Sequence, residues 1–404
     1  MDFPRVLSIL LLVFGLYLLA QAYLFYHIAS YLRRRGFGRR SQSLILGFVV
    51  LLFLVSVLPV IWRFVAGWQS HPPIPWLFRL LAFWGVGSIG SALVLFSYDF
   101  SRFMRRIFRR RAVSPDLPRR DFLRKSAAIA AAAPFLLSGY GVVLGRRRFE
   151  VEDFELPING LSSDLSQLSI VQLTDIHVGP FMPGEELAAY VESINRLRPD
   201  LIVLTGDFIS TTAAEVAPCV DTLAGLKARY GVFACMGNHD VYARVDEELS
   251  RGFAQKGIHV LRNDAVSLDI NRSKLNILGI EDLRWGRPDL ARALKASERE
   301  PGEVKILLSH RPEAFPTAAR SGIDVILSGH YHGGQVKLGS DPESLSIARF
   351  ITPYAEGLFH LPRNLSRSQA KGSVLFVSRG IGITGVPIRI NCRPQIAHLK
   401  LKKA

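Results

Sequence analysis

Cysteine is scarce in this 404-residue chain: Cys219, Cys235 and Cys392 stand alone, with no CxxC pair among them. An odd, dispersed set of three excludes a disulfide scaffold, and the three read as small core residues. Excess positive charge is missing from most of the chain. Residues 1–146 carry 19 Lys+Arg against 4 Asp+Glu, whereas the remainder carries 31 against 30. A broad basic face on the C-terminal part is thereby excluded, and nucleic acid is not an expected partner. Charge of either sign is absent from two long apolar runs near the N-terminus, and no acidic pair or histidine lies in the middle of one, so no transport path is indicated.

What is present instead is a set of membrane-length segments. Val6–Tyr26, Leu44–Ile61 and Trp76–Tyr98 each approach the ~20 residues that cross a bilayer. A fourth, Ala127–Gly145, is Ala-rich and contains Pro134. Arg33, Arg34, Arg35, Arg39 and Arg40 follow the first span; Arg102, Arg105, Arg106, Arg109, Arg110 and Arg111 follow the third. Such loops stay cytoplasmic. The N-terminus is then outside, and the fourth span delivers the C-terminal domain to the external side. Arg119-Arg120-Asp121-Phe122-Leu123-Arg124-Lys125, directly before that span, resembles a twin-arginine export signal. An ordinary basic stop at the membrane face is the other reading, and both give the same orientation. No small-x-small cleavage site stands out, so the fourth span reads as an anchor. The expected division is a membrane region over 1–146 and a catalytic domain over 147–404.

From Leu165 onward the pattern changes to short apolar runs that end in polar clusters. Leu168–Leu173 ends at Asp175 and His177; Leu201–Leu204 ends at Gly206-Asp207; Gly231–Met236 ends at Gly237-Asn238-His239-Asp240. Val304–Leu308 ends at Ser309-His310, and Val325–Leu327 ends at Gly329-His330-Tyr331-His332. Glu185–Leu197 and Val216–Arg229 have helical spacing between them. Alternating units of this kind give an α/β fold with sheets covered by helices. The strands near Val374–Val377 and Ile396–Leu399 lack an intervening helix, which implies an antiparallel portion. In open α/β sheets ligands bind beyond the carboxyl ends of the strands, so five such loops can converge on one site. Five of the ten histidines lie in them; His27, His71, His259, His360 and His398 read as ordinary hydrogen-bonded residues.

These motifs, in this order over about Leu168–Leu399, resemble the calcineurin-like metallophosphoesterases. Gly333–Val336, Ser378–Gly382 and Pro387-Ile388-Arg389 are similar to the bacterial membrane-associated YkuE/YaeI-like branch. The resemblance implies an αββα sandwich, two mixed sheets flanked by helices, preceded here by an all-α transmembrane region. It implies two divalent ions, with Mn, Fe or Zn suited to a mixed nitrogen and oxygen donor set. Asp175, His177, Asp207 and His332 would hold the first; Asp207, Asn238, His310 and His330 the second. Asp207 bridges as an anionic two-oxygen ligand. His239 would face the phosphate, and Asp240 either orients it or caps the following helix. Ser210, Tyr331 and Gln395 depart from residues common in the family: Asp, Thr and Glu respectively.

The implied activity is metal-dependent hydrolysis of phosphoric esters, of phosphodiesterase or pyrophosphatase type, through a hydroxide bridging the ions. The long segment Gly339–Gly372 carries Phe350, Ile351, Tyr354, Leu358, Phe359 and Leu361, as a lid, a lipid-facing rim or ordinary loop packing. With the membrane anchor, it points to a lipid-linked or envelope phosphodiester, such as a UDP-diacylglucosamine-like or phospholipid substrate. The expected location is the bacterial cytoplasmic membrane, multi-pass, with the catalytic domain on the periplasmic side. The alternative is a catalytically weak binding or scaffold protein that keeps the fold.

Overall fold

The computed structural model describes residues 3–66, 76–108, 117–146, 148–297, 303–361 and 372–404. Arg109–Arg111, His71, Arg147 and the 339–372 segment between 362 and 371 lie outside them.

Four helices form the first of two compact units: α1 (Phe3–Arg34), α2 (Arg39–Ala66), α3 (Trp76–Phe108) and α4 (Leu117–Val143). Three are long and apolar enough to cross a membrane among the described residues, over Arg39–Trp62, Trp76–Phe108 and Asp121–Val143. Small residues let α3 and α4 approach closely. A Cβ on Gly90 would meet Pro134 at 2.7 Å. Polar side chains bridge helices: Ser138 donates from Oγ to the Phe83 carbonyl, and Trp84 Nε1 donates to Gln21 Oε1 at 3.0 Å.

The second unit holds twelve strands among the described residues. They are β1 (Glu150–Ile158), β2 (Ser169–Leu173), β3 (Leu201–Leu204), β4 (Val232–Ala234), β5 (Ile258–Val260), β6 (Asp264–Ile270), β7 (Ser273–Gly279), β8 (Val304–Leu308), β9 (Val325–Ser328), β10 (Gly357–His360), β11 (Val374–Val377) and β12 (Gln395–Lys403). Two six-stranded sheets have the orders β1-β12-β2-β3-β4-β5 and β10-β11-β9-β8-β7-β6. Both are mixed: β2, β3, β4 and β5 run parallel, as do β7, β8, β9 and β11, while β12 opposes β2 and β10 opposes β11.

The inner faces pack on each other. Ile170, Val203 and Phe233 of one sheet join Ile306, Leu327 and Phe376 of the other in one apolar layer. Each such side chain contributes about 1.5–3 kcal/mol by leaving water. Helices α5 (Gly184–Leu197), α6 (Val216–Leu223) and α8 (Asp246–Gln255) cover the first sheet, and α9 (Leu290–Ala296) and α10 (Phe315–Arg320) the second. The spacing of Leu187, Tyr190, Val191 and Ile194 puts one stripe of α5 against β2 and β3, and acidic Glu185 and Glu186 occupy its first turn. The three cysteines are buried and unpaired.

One expectation needs correction. The helix expected over Val216–Arg229 stops at Leu223, because the 224–227 turn is pinned by Asn195, which donates to the Gly225 carbonyl and accepts from the Lys227 amide. The antiparallel portion expected near Val374–Val377 and Ile396–Leu399 is present: β10 opposes β11, and β12 crosses to the other sheet, where it lies between β1 and β2 and opposes β2.

Candidate metal centre

The site lies at one rim, where β2, β3 and β4 of one sheet and β8 and β9 of the other end together. Asp175 and His177 follow β2, Asp207 follows β3, Asn238 opens the short helix α7 (Asn238–Tyr242) after β4, and His310, His330 and His332 follow β8 and β9. Five of the seven adopt left-handed backbone conformations: φ is +51° at Asp175 and His177, +56° at Asp207, +80° at His330 and +51° at His332. L-residues rarely hold this region, at a cost of about 1–3 kcal/mol each, so packing around them must impose it. Two glycines allow the loops to meet. A Cβ on Gly237 would lie 2.2 Å from the Asp207 amide nitrogen, and one on Gly329 would lie 2.2 Å from Asp175 Oδ2.

The seven side chains form two groups around one shared oxygen. In the first, His177 Nε2 lies 3.1 Å from His332 Nε2 and 3.6 Å from Asp207 Oδ2, and His332 Nε2 is 3.2 Å from Asp175 Oδ1. In the second, His310 Nε2 lies 3.3 Å from Asp207 Oδ2, 3.2 Å from Asn238 Oδ1 and 3.2 Å from His330 Nδ1. Asp207 Oδ2 thus faces both groups, while the His239 amide donates to Oδ1 at 2.8 Å.

Backbone groups hold these donors in place. Asp175 accepts from the His330 amide at 3.0 and 3.1 Å and from Thr174 Oγ1 at 2.9 Å. His310 Nδ1–H donates to the Thr205 carbonyl at 2.8 Å, which directs Nε2 toward the site.

Electrostatics follow from burial. Desolvation pushes Asp175 up to about 6, opposed by His310 and aided by Asp207. Burial acts upward on Asp207 too, but His310, His239 and His177 together hold it well below the usual carboxylate range. His177 is pushed down to about 3 by burial and by His239; His330 to about 2 by burial, His310 and Arg311. His310 alone goes up, to about 10, because Asp207 outweighs its desolvation. His177 and His330 are thereby held neutral, the state in which an imidazole can ligate a cation, whereas His310 holds a proton that an ion would have to displace.

The donor chemistry therefore fits divalent ions: histidine nitrogens and carboxylate and amide oxygens converge within 3.1–3.6 Å of one another in a buried pocket. Three clusters of atoms within 4.8 Å of one another meet this description, formed by Asp175, His177 and His332, by Asp207, His310 and His330, and by His177, Asp207 and His239. The third places His239 closer to the donors than sequence suggested. Its ring packs edge-on against His177, with centroids 4.5 Å apart. Its Nδ1 faces the Ser210 carbonyl at 2.7 Å and the Tyr242 hydroxyl, and its Nε2 faces Thr384 Oγ1 at 3.4 Å.

Asp240 does not orient His239. Both its oxygens turn to backbone amides: Asp207 and Gly237 on Oδ2, Phe208 and Ile209 on Oδ1. Burial, then Asp207, press its pKa up toward about 8. Four N–H donors on both oxygens nonetheless define an ionised carboxylate, since a proton would face an N–H. Asp240 thus anchors the Asp207 loop. Ser210 supports His239 through its carbonyl.

Sequence reading also missed Arg311 and the role of Arg389. Arg311 is held by Asp282 through Nε at 2.8 Å and presents Nη1 to His330 Nε2 at 2.6 Å. Its position next to His310 was the available signal. Arg389 is fully buried, donates to the carbonyls of Arg379, Gly380, Gly382 and Cys392, and reaches His332 Nδ1 at 3.4 Å.

A face-to-face pair of mixed sheets with Asp, Asn and His converging at one rim is the framework of a metallophosphoesterase, and the chain belongs to the calcineurin-like metallophosphoesterase family. Residues 168–334 match the calcineurin-like phosphoesterase model, and residues 5–146 match a probable calcineurin-like phosphoesterase transmembrane domain. The metallophosphoesterase YkuE of Bacillus subtilis is 30% identical over 298 residues, covering 71% of this chain and 98% of that one. A transmembrane protein with metallophosphoesterase domain from Danio rerio is 30% identical over 293 residues (69% and 63%), and its Bos taurus counterpart 29% over 306 (70% and 65%). The aligned part spans under two thirds of the length of these two animal relatives.

Proposed function

We propose that the chain is a membrane-anchored hydrolase of phosphoric esters that acts with two divalent ions drawn from Mn, Fe and Zn. The observation that carries this reading is the shared Asp207 Oδ2, 3.6 Å from His177 Nε2 in one donor group and 3.3 Å from His310 Nε2 in the other. Asp175, His177, Asp207 and His332 would hold one ion, and Asp207, Asn238, His310 and His330 the other. Divalent ions in such a pair supply positive charge against phosphoryl oxygens and lower the pKa of water. The protein's own part is orientation and proton transfer. Nδ1–H of His239, donated to Ser210, fixes the ring so that Nε2 can hold a proton for the leaving oxygen. Asp240 keeps the Asp207 loop in its left-handed turn.

The membrane region over 1–146 would anchor the domain over 147–404, with a twin-arginine-like segment ahead of α4 and the catalytic unit on the periplasmic side of a bacterial cytoplasmic membrane. A lipid-linked or envelope phosphodiester is the substrate class that suits an anchored enzyme of this type. The test is hydrolysis of bis-p-nitrophenyl phosphate by purified protein with added Mn²⁺, Fe²⁺ or Zn²⁺, followed by a panel of phospholipids and nucleotide-linked lipids. Turnover abolished in Asp207→Asn and His239→Ala supports the reading. Inactivity with every ion would leave a binding protein.

A further inference from the structure

Most large apolar side chains exposed in the second unit are concentrated in one place. Of eight beyond Gly145 among the described residues, five lie between 338 and 351: Leu338, Leu345, Ile347, Phe350 and Ile351, each 50–80% exposed. They sit on a two-stranded turn, closed by the Lys337–Ser346 bridge and the Leu338 amide to the Leu345 carbonyl, and on α11 (Ile347–Ile351). Scattered exposed leucines are ordinary; a cluster of five is not.

This cluster belongs to the rim that carries the metal centre. A Cβ on Gly334, two residues past His332, would lie 2.7 Å from Ser346 and 3.2 Å from the Ala348 amide. The chain also enters the unit at that rim. Strand β1 runs antiparallel to β2 in direction, so its first residue lies level with the end of β2. The Glu150 amide donates to the Pro394 carbonyl, the Gln395 amide to the Gly380 carbonyl, and a Cβ on Gly380 would meet Asp175 Cβ at 2.6 Å. Earlier still, buried Arg146 donates to the Phe181 carbonyl at 2.8 Å, four residues beyond His177. The last candidate membrane span ends at Val143, only three residues before Arg146 and seven before Glu150. Seven extended residues reach about 25 Å at most. The tether from the last candidate span therefore joins this unit at the same rim that bears the exposed apolar cluster.

We propose that the 338–351 segment inserts into the bilayer interface, so that the metal centre opens along the membrane surface toward phosphoesters whose other end is held in the lipid. The nature of the substrate rests on the phosphoesterase reading; the insertion does not. Interfacial segments bury such side chains about 5–10 Å deep, beside cations such as Arg349.

The test uses the full chain in nanodiscs of phosphatidylethanolamine and phosphatidylglycerol. Nitroxides are attached through Ile347→Cys or Phe350→Cys, with Arg251→Cys on the exposed face of α8 as the aqueous control. The native cysteines are buried and do not compete for label. Electron paramagnetic resonance then compares collisions with oxygen, which partitions into lipid, and with a water-soluble nickel chelate. The proposal expects an oxygen-to-nickel ratio severalfold higher at 347 and 350 than at 251. Ratios equal to the control overturn it. Protection from both reagents overturns it too: with dipolar broadening a second copy covers the patch, and without broadening the chain itself does. None of these readouts requires turnover, so loss of the hydrolase reading leaves the result interpretable.

Discussion

The two donor groups share one carboxylate oxygen but not one environment. In the first, Asp175, His177 and His332 are all buried and all held in left-handed turns, and the guanidinium behind His332 stands off at 3.4 Å while its other donors go to carbonyls. In the second, His310 is braced by a carbonyl, but His330 is only partly buried and has Arg311 directly against its outer nitrogen at 2.6 Å. The first group is fixed by the fold before any ion arrives. The second has a member already engaged by a competing cation, so it is the group whose ion should exchange.

Asp207→Asn breaks the comparison altogether, because it removes the charge both groups share. Both ions should be lost, and kcat/KM on bis-p-nitrophenyl phosphate should fall by at least about 10⁴-fold, roughly 5 kcal/mol of barrier. Mass spectrometry of the purified protein reads the ions directly. Retention of two ions per chain would mean that Oδ2 is not the bridge.

Single-group variants sharpen it. His332→Ala should cost on the order of 10³-fold and one tightly held ion, whereas Asn238→Ala should cost about 10²-fold and be rescued by excess Mn²⁺. Equal losses and equal rescue would erase the distinction between the groups. His239→Ala tests the cluster that includes His177 and Asp207. As a proton donor it should lower kcat by roughly 10²-fold with ion content unchanged; a fall in ion content would make His239 a ligand.

Acid and base should act on different histidines of the site. In metal-free protein His177, His330 and His332 titrate below the ordinary value of 6.5, at about 3, about 2 and well below. The unfolded chain then binds more protons under pH 6.5, and the stability they contribute is complete above 6.5 and lost as pH falls toward 3. His310 is raised to about 10, so its contribution is complete below 6.5 and lost as pH climbs to 10. Melting of chelator-treated protein should therefore peak near pH 6.5 and fall by several degrees on both sides. A melting temperature that rises steadily toward pH 9 would contradict the His310–Asp207 pair.

The residues of both groups were legible in the sequence because each follows a buried strand, and apolar runs ending in Asp or His are visible without coordinates. Strand β1 was not. Its sequence, Glu150-Val-Glu-Asp-Phe-Glu-Leu-Pro-Ile158, is half charged because it is an edge strand paired only with β12, where Lys402 meets Glu155 at 2.6 Å. Helix α6 was overextended because a single side chain, Asn195, ends it from a distance. Roles that depend on which way a side chain turns stayed hidden: Asp240 reads as a partner for His239 until its oxygens are seen on four amides.

Arg311→Gln carries the smallest expected effect and the finest test. Arginine only donates hydrogen bonds, so its contact with Nε2 of neutral His330 places that ring's proton on Nδ1, the nitrogen that faces His310. An ion at the second group needs the Nδ1 lone pair. It can form that bond only when the proton moves and the guanidinium releases Nε2, with Asp282 still holding Arg311 through Nε. Glutamine, which can accept as well as donate, removes this opposition. The second ion should then bind about tenfold more tightly, a change of the size typical for groups behind a metal-bound histidine, while the first is unaffected. Titration calorimetry with Mn²⁺ separates the two events. A weaker second event would instead mean that Arg311 supports the His330 ring in its binding position.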